Sequence, residues 1–148
     1  MKKLILVRHA HRNTKAGRML DNGLSVKGKK QLSSIKKFIL KKLKVKKAVL
    51  YSSPKKRCIQ TIKPLENKVK SKIIVLSSLN EGGNLSKKIR NFLSRAKNCK
   101  SDTVIVSTHG DWIPYFIARK LKRDILIKKG GIAVLSFKAG QFSLIKLE

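Results

Sequence analysis

Short apolar runs alternate along the chain with stretches whose hydrophobic residues recur every three or four positions. Leu4 to Val7 is a continuous apolar run and predicts a parallel strand buried on both faces. Ala10 to Asn22 is polar and irregular and ends on the turn signal Asn22-Gly23. Ser25 is placed to cap a helix that carries Leu32, Ile35, Ile39 and Leu43 on one face and Lys on the other. Ala48 to Tyr51 predicts a second strand. Ser53-Pro54 then predicts a helix start, with Ser53 as cap, Pro54 at the first helical position, and Cys58, Ile62 and Leu65 on the apolar side. Ile73 to Leu76 reads as a third strand, Asn80 to Asn84 as a glycine-containing loop, and Leu85 to Ala96 as an amphipathic helix. Thr103 to Val106 predicts a fourth strand. His109-Gly110-Asp111 predicts a tight turn, and Asp111 caps a helix that tolerates Pro114 in its first turn. Ile132 to Phe137 and Phe142 to Leu147 flank Lys138-Ala139-Gly140-Gln141 and predict a terminal hairpin. Strands alternating with helices give an α/β class, a three-layer αβα sandwich around a mainly parallel sheet, with an antiparallel C-terminal hairpin.

Composition adds three points. At 148 residues the expectation is one compact domain over residues 1–148, large enough to fold without a disulfide or a metal. Hydrophobic residues are 41% of the chain but aromatics only 5%, so Leu, Ile and Val fill the core. The two cysteines, Cys58 and Cys99, have no metal-type spacing and are expected as reduced thiols in a cytoplasmic protein. The apolar run after Met1-Lys2-Lys3 stops at Arg8, too short for a signal or a membrane span, so no membrane association is expected.

The charge is extreme: 37 basic residues against 7 acidic ones, a net +30. The lysines form no single block or arm, which reads as solvated helix faces with non-specific attraction for polyanions and phosphorylated substrates. No basic stretch interleaves aromatic residues of the kind that stack on bases, which ranks nucleic-acid binding low.

The candidate chemistry follows from the predicted topology. In such a sheet, ligands bind beyond the carboxyl ends of the strands. Arg8-His9 follows the first strand, Glu81 the third, and His109-Gly110 the fourth, while Arg57 lies one turn into the helix after the second. Two guanidinium forks match phosphoryl oxygens. A neutral imidazole is a competent nucleophile, a second can donate where charge develops, and a carboxyl can protonate a leaving oxygen and then activate water. Gly110 offers a backbone N–H at a helix start, which favours anions. His9-Ala10-His11 has part of a two-metal hydrolase pattern, but Arg12-Asn13-Thr14 follow where that pattern needs further ligands. No metal and no cofactor are expected.

Four segments, in order, carry a family resemblance. Leu6-Val7-Arg8-His9-Ala10 resembles the opening signature of the histidine phosphatase superfamily, also called phosphoglycerate-mutase-like. Leu24-Ser25-Val26-Lys27-Gly28 through Gln31, Tyr51-Ser52-Ser53-Pro54 through Thr61, and Val106-Ser107-Thr108-His109-Gly110 resemble its later segments. The resemblance implies a phosphatase with His9 as the phosphorylated nucleophile, Arg8, Arg57 and His109 in the phosphate pocket, Glu81 as proton donor, and no metal. Asn13 is a further candidate phosphate contact. Ala10 departs from the family's usual glycine. The short chain resembles the phosphohistidine-phosphatase branch, which implies phosphomonoesters or phosphohistidine as substrates, on a small molecule or a phosphoprotein. Mutase-type transfer between positions of a phosphosugar acid, or a non-catalytic basic binding module on the same scaffold, are the alternatives. Monomer and dimer are equally open.

Overall fold

A computed structural model describes residues 1–148. Its centre is a six-stranded sheet of order β3-β2-β4-β1-β5-β6, built from β1 (Lys3–Arg8), β2 (Val49–Ser52), β3 (Ile73–Val75), β4 (Thr103–Thr108), β5 (Ile132–Lys138) and β6 (Gln141–Leu147). The pairs β2–β3, β2–β4 and β1–β4 are parallel; β1–β5 and β5–β6 are antiparallel. β1 therefore lies in the interior of the sheet, between β4 and β5.

The unbroken apolar run of β1 has a direct structural cause. Leu4 and Leu6 point into one core, with Phe92, Trp112 and Phe116 of α4 (Leu85–Lys97) and α5 (Trp112–Leu121). Ile5 and Val7 point into a second core, with Ile35, Phe38 and Ile39 of α1 (Val26–Lys37) and its extension. A strand covered on both faces has no use for a polar alternate position. Each fully buried Leu or Ile contributes roughly 1.5–3 kcal/mol of transfer free energy. The layers are thus helix, sheet, helix, as expected. No helix is long and apolar enough to cross a membrane.

Three local predictions shift. The apolar face expected to run to Leu43 leaves α-geometry after Lys37 and continues as a π-helical turn, Phe38–Lys42, in which Leu43 N–H donates to Phe38 O at 2.9 Å. The wider turn keeps both Phe38 and Ile39 buried. The helix expected to start at Ser53-Pro54 starts instead as α2 (Lys56–Ile62). Lys55 at its cap position has no side-chain acceptor, and the carboxylate of Asp21 accepts the Lys56 N–H from across the loop at 2.5 Å. Ser53 is free for another task. α2 also ends at Ile62 because Pro64 follows, and Leu65 sits in a 3₁₀ turn before the short α3 (Glu66–Val69). β4 runs two residues past Val106, to Thr108, which brings His109 to the strand's carboxyl end.

The loop after β1 packs tightly on the start of α1. Ser25 caps that helix by accepting from Gly28 N–H. A Cβ on Gly28 would collide with the backbone carbonyl of His11, so glycine is required there for close approach.

Candidate active site

Arg8, His9, Arg57, Glu81, His109 and Gly110 converge at the carboxyl ends of β1, β2 and β4. The His9 and His109 rings stand edge to face, with centroids 5.5 Å apart. The open cleft beside them has a volume of about 720 Å³ and is bordered by Arg8, His9, Glu81 and Gly110. Arg57 and His109 are buried, at 3% and 1% exposure, and do not border the cleft; they meet it through Glu81, which accepts from Arg57 and lies 3.4 Å from His109 Nδ1.

His9 is held in one tautomer. Its Nδ1 lies 2.8 Å from Ala10 O, so Nδ1–H donates to that carbonyl and Nε2 keeps its lone pair. Burial, then the charges of Arg57 and Arg8, push its pKa down from 6.5 to about 4, against the opposing hydrogen bond to Ala10. The ring is neutral at pH 7. Ala10, where a glycine was the usual residue, is fully buried, is absent from the left-handed backbone region, and donates its N–H to Thr61 Oγ1 at 2.9 Å. The substitution therefore costs no backbone strain.

His109 is fixed from behind by Ser53. The Ser53 Oγ lies 2.7 Å from Nε2 and accepts the Lys55 N–H at 3.4 Å. Its Nδ1 lies 3.4 Å from Glu81 Oε2 and 3.4 Å from Arg57 Nη2, which can only donate. Burial leads the shift of this ring as well, down to about 4, although the Glu81 charge opposes it. Cys58 lies 3.5 Å from Nε2, but burial pushes its thiol up to about 12, so it is no nucleophile.

The Arg57 guanidinium donates to Glu81 Oε1 at 2.5 Å and to Asp21 Oδ1 at 3.4 Å. Arg8 donates Nη1–H to Ile127 O at 2.6 Å. The Nε of each arginine is buried without a partner, an arrangement suited to an incoming tetrahedral anion. Gly110 stands where a Cβ would come within 2.6 Å of Arg8 Cζ, so a side chain there would displace the guanidinium. Burial raises the Glu81 pKa, but the hydrogen bond from Arg57 and the charges of His109, Arg57 and Lys55 outweigh it and leave the carboxyl below 4.5. Its loop is stapled: Lys88 Nζ donates to the carbonyls of Asn80, Glu81 and Gly82 at 3.1, 3.0 and 2.7 Å. Trp112 is fully buried and donates Nε1–H to Ser78 O at 2.9 Å in the same segment.

Asn13 does not join this group. Its Oδ1 accepts from Lys15 N–H at 3.0 Å, and it does not border the cleft. His11, Arg12 and Arg18 do border it, as do Thr14 and Lys129. Nothing local in the sequence marks Ser53, Lys88 or Lys129 for these places; only contacts from distant segments do. No group of three or more His, Cys, Asp or Glu side chains is arranged to hold a metal ion.

A family model described as the histidine phosphatase superfamily (branch 1) matches residues 4–89. No curated protein sequence matches the chain. Among solved structures, a mutant phosphoserine phosphatase from Entamoeba histolytica is similar, with a TM-score of 0.75 and 18% identity over 99% of this chain and 96% of that one. The protein histidine phosphatase SixA, complexed with tungstate, gives 0.76 and 17% over 98% and 95%. A mycobacterial glucosyl-3-phosphoglycerate phosphatase gives 0.74 and 16% over 97% of each. At these identities the likeness is one of fold.

Proposed function

The chain belongs to the histidine phosphatase superfamily, branch 1, and so is a phosphatase with a histidine nucleophile; we propose that this nucleophile is His9, in one catalytic unit spanning residues 1–148, and that the substrates are phosphomonoesters or phosphohistidine. One observation carries the residue assignment. The Nδ1–H of His9 is committed to Ala10 O, which leaves a neutral Nε2 with its lone pair beside a cleft lined by Arg8 and Glu81, with the His109 ring packed edge to face on His9.

In this reading Arg8, Arg57, the His109 ring and the Gly110 backbone grip the phosphoryl oxygens. Nε2 bonds to phosphorus as the P–O bond to the leaving group breaks, and Glu81 gives its proton to that oxygen. A water then attacks the phosphohistidine, its proton passes to Glu81, and inorganic phosphate and free His9 result. Glu81 is ionised in the free site, because Arg57 holds it. A bound phosphoryl dianion would draw Arg57 away and put negative charge beside the carboxyl, and both changes raise its pKa toward the range an acid needs.

The test is hydrolysis of p-nitrophenyl phosphate in the presence of a chelator. The wild type turns over with no effect of the chelator, and His9→Ala loses roughly a thousandfold or more in kcat. An acid-labile, base-stable phosphoenzyme forms only when His9 is present. Equal rates for the two proteins would overturn the assignment.

A further inference from the structure

The segment that carries Glu81 is tied down carbonyl by carbonyl. Five in a row, from Ser78 to Gly82, each accept a hydrogen bond from a side chain. Trp112 Nε1–H donates to Ser78 O at 2.9 Å, and Thr108 Oγ1–H donates to Leu79 O at 2.6 Å. Both donors are fully buried, and they belong to β4 and α5, the elements on either side of His109. The next three carbonyls, of Asn80, Glu81 and Gly82, all go to the ammonium of Lys88, at 3.1, 3.0 and 2.7 Å. An ammonium has three protons, so the contact uses every donor it has. Lys88 takes part in none of the ion pairs of the structure.

Little else fixes the backbone around Glu81. Gly82 and Gly83 both lie in the left-handed region, with φ of 66° and 65°. A Cβ on Gly82 would meet nothing within 4 Å, and on Gly83 it would meet only Lys88, at 3.7 Å. The loop is therefore unpacked. Its other ties are Gly82 N–H to Asp111 Oδ2 at 2.7 Å and the local bond of Glu81 N–H to Asn80 Oδ1 at 3.0 Å. Lys88 itself is well seated: it stands in the first turn of α4, next to Ile89, which is buried together with Phe92 of the same helix.

The Glu81 carboxylate has two tasks in two places. In the free site it accepts from Arg57 and lies 3.4 Å from His109 Nδ1, between those groups and the cleft. To protonate a leaving oxygen it must give up Arg57 and turn into the cleft. A general acid has to come within hydrogen-bond reach of the atom it protonates, and a misplacement of about 1 Å can cost about a hundredfold. With three consecutive carbonyls held, the move is a change of side-chain rotamer alone, and the carboxyl reaches the same place at each turnover. Resting on the reading of Glu81 as the general acid, we propose that Lys88 is the positioning residue of that acid. Its ammonium keeps the Asn80-Glu81-Gly82 backbone still while the carboxyl exchanges Arg57 for the leaving group.

Two leaving groups test this, compared by kcat/KM, which reports the phosphorylation step. Propyl phosphate needs a proton on its departing oxygen; p-nitrophenyl phosphate does not. Lys88→Met keeps a good helix former in α4 and removes all three donors. It should lower kcat/KM for propyl phosphate roughly tenfold and leave that for p-nitrophenyl phosphate within about twofold, which also shows that the variant is folded. In a Glu81→Gln background the same change should have no further effect on propyl phosphate, because the group it positions is gone. Lys87→Met removes one charge from the exposed neighbouring position and leaves both rates unchanged, which separates the staple from the attraction of the whole +30 surface for anions. Loss on both substrates alike, loss on neither, or a further loss in the Glu81→Gln background would overturn the positioning role and leave the acid in place. Uniform loss in Glu81→Gln itself would overturn the acid reading on which the proposal stands.

Discussion

Burying His9 and His109 as neutral rings makes the protein sensitive to mild acid. In the unfolded chain both rings take up a proton near pH 6.5; in the native state both do so near 4. Between those values the unfolded state binds more protons, so stability is fully present above pH 6.5 and falls as pH drops toward 4. The difference corresponds to about 3 kcal/mol per ring. The two rings lower each other's affinity for protons, since the His9 charge is among the causes acting on His109, so together they contribute less than twice that. We expect a loss of about 3–4 kcal/mol between pH 7 and 4.5, a large part of the 5–15 kcal/mol of a typical domain. The carboxyls of Glu66 and Glu81, both held below 4.5, contribute only at lower pH, so the window isolates the histidines. Urea unfolding at pH 7, 5.5 and 4.5 and constant ionic strength measures it. The double variant His9→Asn/His109→Gln should show a much flatter profile. A flat profile in the wild type, or the same fall in the double variant, would refute the reasoning.

Two more outcomes bear on the site. For Glu81→Gln, hydrolysis of alkyl phosphates, whose leaving oxygen needs a proton, should slow by roughly a hundredfold, while that of p-nitrophenyl phosphate slows much less; uniform loss would count against an acid role. Ser53→Ala leaves His109 Nε2 with only the Cys58 thiol at 3.5 Å. It should lower kcat about tenfold by freeing the ring, and cost about 1–3 kcal/mol in urea unfolding; unchanged kcat would mean that the hydroxyl does not orient the ring.

The sheet was legible because β1, β2 and β4 are apolar runs of the length a doubly covered strand requires. The rim position of Arg8-His9 and His109 follows from the ends of those same runs. Ser53-Pro54 misled because the pair has the chemistry of a helix start, while Asp21, far away in sequence, caps α2 instead and leaves Ser53 to His109. Loop residues were the least legible. Asn13 turns to its own backbone at Lys15. His11 and Arg12 are drawn to the cleft by Gln31 and Leu24, and Lys129 by the bonds of Gly130 to the first strand's end. None of these long-range hydrogen bonds leaves a mark in local periodicity. Lys88 looks like any solvated helix lysine, yet its ammonium collects three carbonyls.

The interior position of β1 has a consequence for synthesis on the ribosome. β1 leads into His9, the proposed nucleophile, yet both of its neighbours, β4 and β5, come from the last third of the chain. The N-terminal half can collapse around α1 and β2 but cannot seat β1, and Gly130 must arrive before the backbone at Arg8 and His9 is pinned. A nascent chain or a proteolytic fragment that stops short of β5 would therefore carry both Arg8 and Arg57 and no working enzyme.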